Sequence, residues 1–237
     1  MGVRSTVFLA AITLAAASAA AQPAPAEWVQ ASNENAQVLL QAMAELSPET
    51  AARYGVEGVD DRILDLSEGD RERREKTLGE VETTLRARLE EAGDARVRQD
   101  LDILLRAVAL DLEGLALSEK LELPYYDLNR LVFHSLRGLL DERVAPERRP
   151  AALVRLKRYA GLEGGYDPIA LLATQRIREK LDQGDLAAPY LGEREKHLED
   201  GPQMRAGLGP LFEEYGIEDY GSALEALTDQ LAVYDDF

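Results

Sequence analysis

Four side chains near the middle of the chain offer the clearest chance of chemistry: Tyr125, Tyr126, Arg130 and His134. Adjacent tyrosines that follow Pro124 and enter a helix can line a ligand cleft, although such a pair more often buries one ring and exposes the other. Arg130 and His134 extend that cleft lining along the helix. They also belong to a stripe at helical period, Asp127, Arg130, His134, Arg137 and Asp141, whose charges alternate in sign. A stripe of this kind is ordinarily a solvated or salt-bridged helix face.

Beyond these four, the sequence withholds the usual catalytic patterns. His134 is followed by Ser135-Leu136-Arg137 and His197 by Leu198-Glu199-Asp200, so neither opens an H-E-x-x-H zinc motif, and both read as surface histidines. The chain has no cysteine, which removes disulfides, thiol catalysis and Cys-ligated metals together. No G-x-S-x-G elbow is present. The run Gly161 to Tyr166, GLEGGY, lacks a preceding strand and a Gly-Lys-Ser/Thr ending, and reads as a helix break. With 44 acidic residues, any carboxylate pair chosen for glycoside hydrolysis would be arbitrary. No catalytic, cofactor-binding or metal residue is therefore assigned. The net charge of −17 disfavours nucleic acid and anionic membrane surfaces as partners. The basic cluster Arg71 to Lys76 alternates with Glu72 and Glu75 and reads as a solvated helix face.

The elements that must position these groups are all helical. Residues 1–21 have the n, h and c regions of a secretory signal peptide, with cleavage after Ala21, which predicts a periplasmic or secreted protein and no membrane association once the signal is removed. Residues 22–26, QPAPA, form a tether, and 27–237 a single helical domain. A helix is expected from Glu27 to Leu46, then a short one capped by Ser47 with Pro48 at its first position and closed by Gly55. Two long helices, Arg71–Glu91 and Asp94–Leu121, make an antiparallel hairpin, with Gly93 as a left-handed stop and Asp94 as the restart cap. Asp127 caps the next helix, whose apolar residues Leu128, Leu131, Val132, Leu136, Leu139 and Leu140 recur at helical spacing. Asp167-Pro168 starts another, which Gly184 stops. Separate helices follow near Tyr190–Glu199 and Pro202–Tyr215, and a last one begins near Asp219. No strand pattern or internal repeat is visible. The fold class is all-α, a multi-helix array of antiparallel hairpins.

Three stretches carry a resemblance: WVQASNENAQVLLQAMAELSPETAARYGVEG, then LPYYDLNRLVFHSLRGLLD with ERRPAALVRLKRYAGLEGGYDP, and finally PLFEEYGIEDYGSALEALTDQLAVYD. Together they resemble, in order, the N-terminal half of the exported bacterial family known as domain of unknown function 885. Members are usually more than twice this long and helical, and their C-terminal half carries a His-Glu-Ala-x-Pro-Gly-His-His type motif that suggests a zinc metallopeptidase-like site. This sequence lacks that motif, so no functional residue carries over. The resemblance implies a non-catalytic half, inert alone, with zinc expected only in the full-length family. Its partner would be the C-terminal half if separately encoded, and a peptide would be the substrate of full-length relatives. The last helix, still apolar at Tyr234 and closing on Asp235-Asp236 against the macrodipole, fits a truncated or split product. The alternative is a free-standing periplasmic helical binding module for a basic or peptide partner.

Overall fold

Charged, alanine- and leucine-rich segments with apolar residues every three or four positions give nine α-helices in the computed structural model, which describes residues 26–181, 183 and 185–237. The signal peptide, nearly all of the tether and Gly184 lie outside the described residues. The helices are α1 (Glu27–Leu46), α2 (Pro48–Arg53), α3 (Asp70–Glu91), α4 (Ala95–Leu121), α5 (Leu128–Leu139), α6 (Ala151–Tyr159), α7 (Ile169–Leu181), α8 (Leu191–Glu214) and α9 (Gly221–Asp236). A single 3-10 turn, Pro146–Arg148, precedes α6. The only pairing of β type among the described residues is an isolated parallel bridge between Glu122 and Ala187. None of these helices is long and apolar enough to cross a membrane.

Two main cores organise the chain. Leu78, Val81 and Leu85 of α3 and Val97, Leu101, Leu105 and Val108 of α4 close on Ala42 of α1, with Trp28, Val38 and Leu39 packed around them. This makes a three-helix bundle. The second and larger core joins α5, α6, α7, α8 and α9 through Leu128, Val132, Leu136, Leu156, Tyr159, Ile169, Phe212, Leu227 and Leu231. A small cluster of Ala44, Ala51, Ala52 and Val59 sits where α2 turns toward the following loop. Trp28 is partly buried, and the Arg96 guanidinium lies 4.8 Å over its ring.

Most expected boundaries hold, and the exceptions are few. Asp94 caps α4 by accepting from the Arg96 amide, and Asp127 caps α5 by accepting from the Arg130 amide. Ser47 does not cap α2 with its side chain. Gly93 is not left-handed, because Ala92 leaves α3 in an extended conformation (φ −69°, ψ 118°) and Arg98 satisfies the Leu89 and Ala92 carbonyls instead. The two helices expected around Pro202 are one continuous helix, α8, which carries Pro202 and Pro210 inside it. A mid-helix proline costs about 3 kcal/mol in isolation. Here tertiary contact outweighs it, since Gly201, Leu208 and Phe212 of α8 are all buried. The last helix starts at Gly221 rather than Asp219, whose positive φ of 59° places it in the turn.

Candidate functional site

Asp127 does two jobs at the entry to α5. One carboxylate oxygen caps the helix, and the other lies 3.1 Å from Nε2 of His197 on α8. The imidazole's Nδ1 is 2.9 Å from the Tyr125 hydroxyl, and the two rings are stacked with centroids 5.6 Å apart. Burial, and then the negative charges of Asp127, Asp235 and Glu193, push the Tyr125 phenol above its ordinary pKa. It therefore stays protonated, its hydroxyl shares a hydrogen bond with Nδ1, and the other ring nitrogen, Nε2, faces the Asp127 carboxylate. A phenol held this way is a weak nucleophile, and the arrangement works as a clasp between the α5 entry and α8.

The clasp continues as a polar seam. On α8 the residues Glu193, His197, Gly201 and Arg205 recur every four positions and face the same way. Arg205 donates to Asn129 Oδ1 at 2.8 Å and also bonds the Asp235 carboxylate of α9. Asn129 in turn donates to Asp235 at 2.8 Å. Gly201 is required at the centre, because a Cβ there would stand 2.8 Å from Asn129 Nδ2. His197 is thus no surface histidine. Its side chain is only 12% exposed, and both ring nitrogens are engaged.

The four residues singled out from the sequence do not converge. Tyr125 joins the clasp, while Tyr126 packs against the larger core. Arg130 and His134 are exposed on α5. Partial burial, and then the neighbouring charges of Arg130, Arg137 and Arg53, hold the His134 pKa below the usual histidine value. None of the four borders the cleft at the start of α3 and α7 or the groove between α1 and α4.

The first cleft, of about 480 Å3, opens at the joint between the bundle and the larger core. Its walls come from the start of α3 (Asp70, Arg73, Arg74), the preceding loop (Arg62 to Ser67), and Tyr166, Asp167, Ile169 and Leu172 at the start of α7. Arg73 is committed to Asp65 and to Ser67, and Arg74 reaches the Leu46 carbonyl at 3.2 Å. Burial holds the Asp70 carboxyl above its ordinary pKa. The segment Arg71–Lys76 is therefore more than a solvated face: Arg71 bonds Glu119 of α4 at 2.7 Å, and Glu119 also holds Lys180 of α7. The second cleft, of about 440 Å3, is a more apolar groove between α1 and α4, with Leu39, Met43, Leu46, Leu110 and Leu115 along it.

A buried polar network closes the joint from the other side. Arg155 of α6, 1% exposed, donates to the Arg62 carbonyl at 2.9 Å, the Val59 carbonyl at 3.0 Å and Ser135 Oγ at 3.2 Å. Tyr159, one turn on, donates to the Glu49 carboxylate at 2.7 Å and lies 2.9 Å from Ser135 Oγ. Glu49 also accepts the Leu64 amide. Arg148 pairs with Asp60 and Arg158 with Asp61. The partners lie far apart in sequence, which is why helical periodicity does not reveal them.

Burial raises the pKa of three further tyrosines: Tyr126 to about 12, Tyr159 well above its ordinary value, and Tyr234 likewise upward. In the unfolded chain these phenols ionise near pH ~10, while the folded state keeps them protonated. Their contribution to stability is therefore fully present below pH ~10 and is lost as pH rises toward the folded values. Tyrosinate absorbance during an alkaline titration should show a late fraction that ionises together with loss of helical circular dichroism. A single early wave from all nine tyrosines, with the helices intact, would refute this.

Comparison with known proteins returned no match among family models, curated proteins or solved structures. Among the described residues no group of three or more His, Asp or Glu side chains is arranged to hold a metal ion. His197 Nε2 lies 3.1 Å from the Asp127 carboxylate and 3.9 Å from that of Glu193, which is exposed.

Proposed function

We propose that this chain is a non-catalytic helical scaffold of an exported protein, corresponding to the N-terminal half of the zinc metallopeptidase-like family it resembles. In that role it builds one wall of a polar cleft and leaves the chemistry to groups outside it. The observation that carries the reading is the joint between the two cores. It holds a cleft of ligand size lined by arginines and carboxylates together with Ile63, Leu64, Ile169 and Leu172; the lining includes no histidine, and its two hydroxyl residues, Ser67 and Tyr166, sit against Arg73 and Arg158 rather than a base. The single well-held imidazole, His197, lies elsewhere and has both nitrogens occupied.

Metal analysis of the purified chain after dialysis against zinc tests this directly. Far less than one zinc per chain is expected, with no hydrolysis of peptide substrates. Stoichiometric zinc together with hydrolysis that disappears in His197→Ala would overturn the scaffold reading. A free-standing binding module is the second reading, favoured by the size of the same cleft. Saturable peptide binding to the chain alone, abolished by Arg74→Glu, would decide for it.

A further inference from the structure

Helix α4 has two apolar faces, and among the described residues only one of them is covered. Val97, Leu101, Leu105 and Val108 point into the three-helix bundle. On the outer face Ile103, Leu110, Leu117 and Leu121 are 59%, 61%, 49% and 56% exposed. With Ala107 and Gly114 they form an unbroken series, 103, 107, 110, 114, 117 and 121, spaced alternately by four and three residues. That is the spacing of a two-helix seam, in which large residues act as knobs and small ones leave the holes. The series runs for about 27 Å along the helix. One edge of it, at Leu110 and Gly114, opens onto the apolar groove beside Leu39, Met43 and Leu46.

We propose that this face pairs with the same face of a second copy of the chain, antiparallel, to make a dimer across α4. The occupant is identified by self-complementarity. In an antiparallel seam each first-type core position sits opposite a second-type one, so Ala107 can receive Leu110 of the second copy and Gly114 can receive its Ile103. Each of these two small positions is then filled by a large residue, twice over by symmetry, and the apolar overlap runs from Ile103 to Gly114, with Leu117 and Leu121 lying beyond it opposite Asp100 and Arg96. In this register the flanking positions 106 and 113 also face each other across the two-fold axis. They are Arg106 and Glu113, both exposed, so the pairing places one Arg–Glu contact on each side. A shift of the second copy by one heptad would oppose Glu113 to Glu113 and Arg106 to Lys120, which charge repulsion disfavours.

Sedimentation equilibrium over a range of concentrations tests the proposal, using the chain as it exists. The wild type is expected to show a monomer–dimer equilibrium, and Leu110→Glu to be monomeric. Glu113→Arg is expected to weaken the dimer by roughly tenfold or more, as is Arg106→Glu. The double charge swap, Arg106→Glu with Glu113→Arg, should restore it. All these positions are exposed, and circular dichroism with an unchanged unfolding midpoint will confirm that each variant folds. A wild type that stays monomeric up to millimolar concentration would overturn the proposal. So would a dimer indifferent to Leu110→Glu, or a double swap that fails to rescue.

Discussion

Arg155→Met is expected to destabilise the chain by about 3–5 kcal/mol, the range for breaking a buried charged network by removing one member. The side chain is buried on α6 between α5 and the loop that leaves α2, and it donates to two loop carbonyls and to Ser135. Methionine fills a similar volume but leaves those acceptors dry and unsatisfied. It also leaves Glu49 as a buried carboxylate with less positive charge nearby, held only by Tyr159 and the Leu64 amide. Arg155→Lys should recover part of the loss, since it keeps the charge while losing the planar fork that reaches several acceptors at once. Urea unfolding followed by circular dichroism reads both variants. A loss below about 1 kcal/mol for methionine would mean the network is dispensable.

Gly161→Ala should cost about 2–4 kcal/mol, because two separate penalties fall on one residue. Its φ of +71° lies in the left-handed region, and a Cβ would stand 2.6 Å from Pro168 Cδ and 2.7 Å from the Pro168 backbone nitrogen. Those atoms belong to a rigid ring at the entry to α7 and cannot swing aside. Gly165→Ala separates the two penalties. It shares the positive φ, at +87°, but meets nothing within 4 Å, so it should lose only the conformational part, about 1–2 kcal/mol. Equal losses at the two sites would show that the contact with Pro168 is not limiting.

The helical hairpin of α3 and α4, the Asp127 cap and the apolar face of α5 were legible because each is written in one short stretch of sequence. Leu128, Val132, Leu136, Leu139 and Leu140 are all essentially buried, as their spacing requires. The continuous α8 was not legible, because proline is a strong local signal and the contacts that overrule it come from Asn129, Phe133 and Leu224, far away in the chain. His197 read as a surface residue for the same reason, since its partners Tyr125 and Asp127 lie 70 and more positions earlier. Arg155 did leave a trace. It falls on the stripe Ala152, Leu156 and Tyr159, where an arginine on an otherwise apolar face signals a buried hydrogen-bonding role.

Helix α6 and the 3-10 turn before it grip α2 and the loop that follows it through three arginines. Arg148, Arg155 and Arg158 each donate to at least one backbone carbonyl of residues 48–62, at Ala52, Val59, Arg62 and Asp61 among others. A guanidinium does not lose its proton at any pH where a protein survives, and a peptide carbonyl never titrates. Salt screens pairs of ions, yet it does little to a buried bond between an ion and a neutral dipole. Acid and high salt therefore act on the carboxylates first. The guanidinium-to-carbonyl bonds that seat this loop are left alone by such conditions, whereas its ion pairs through Asp60 and Asp61 are not.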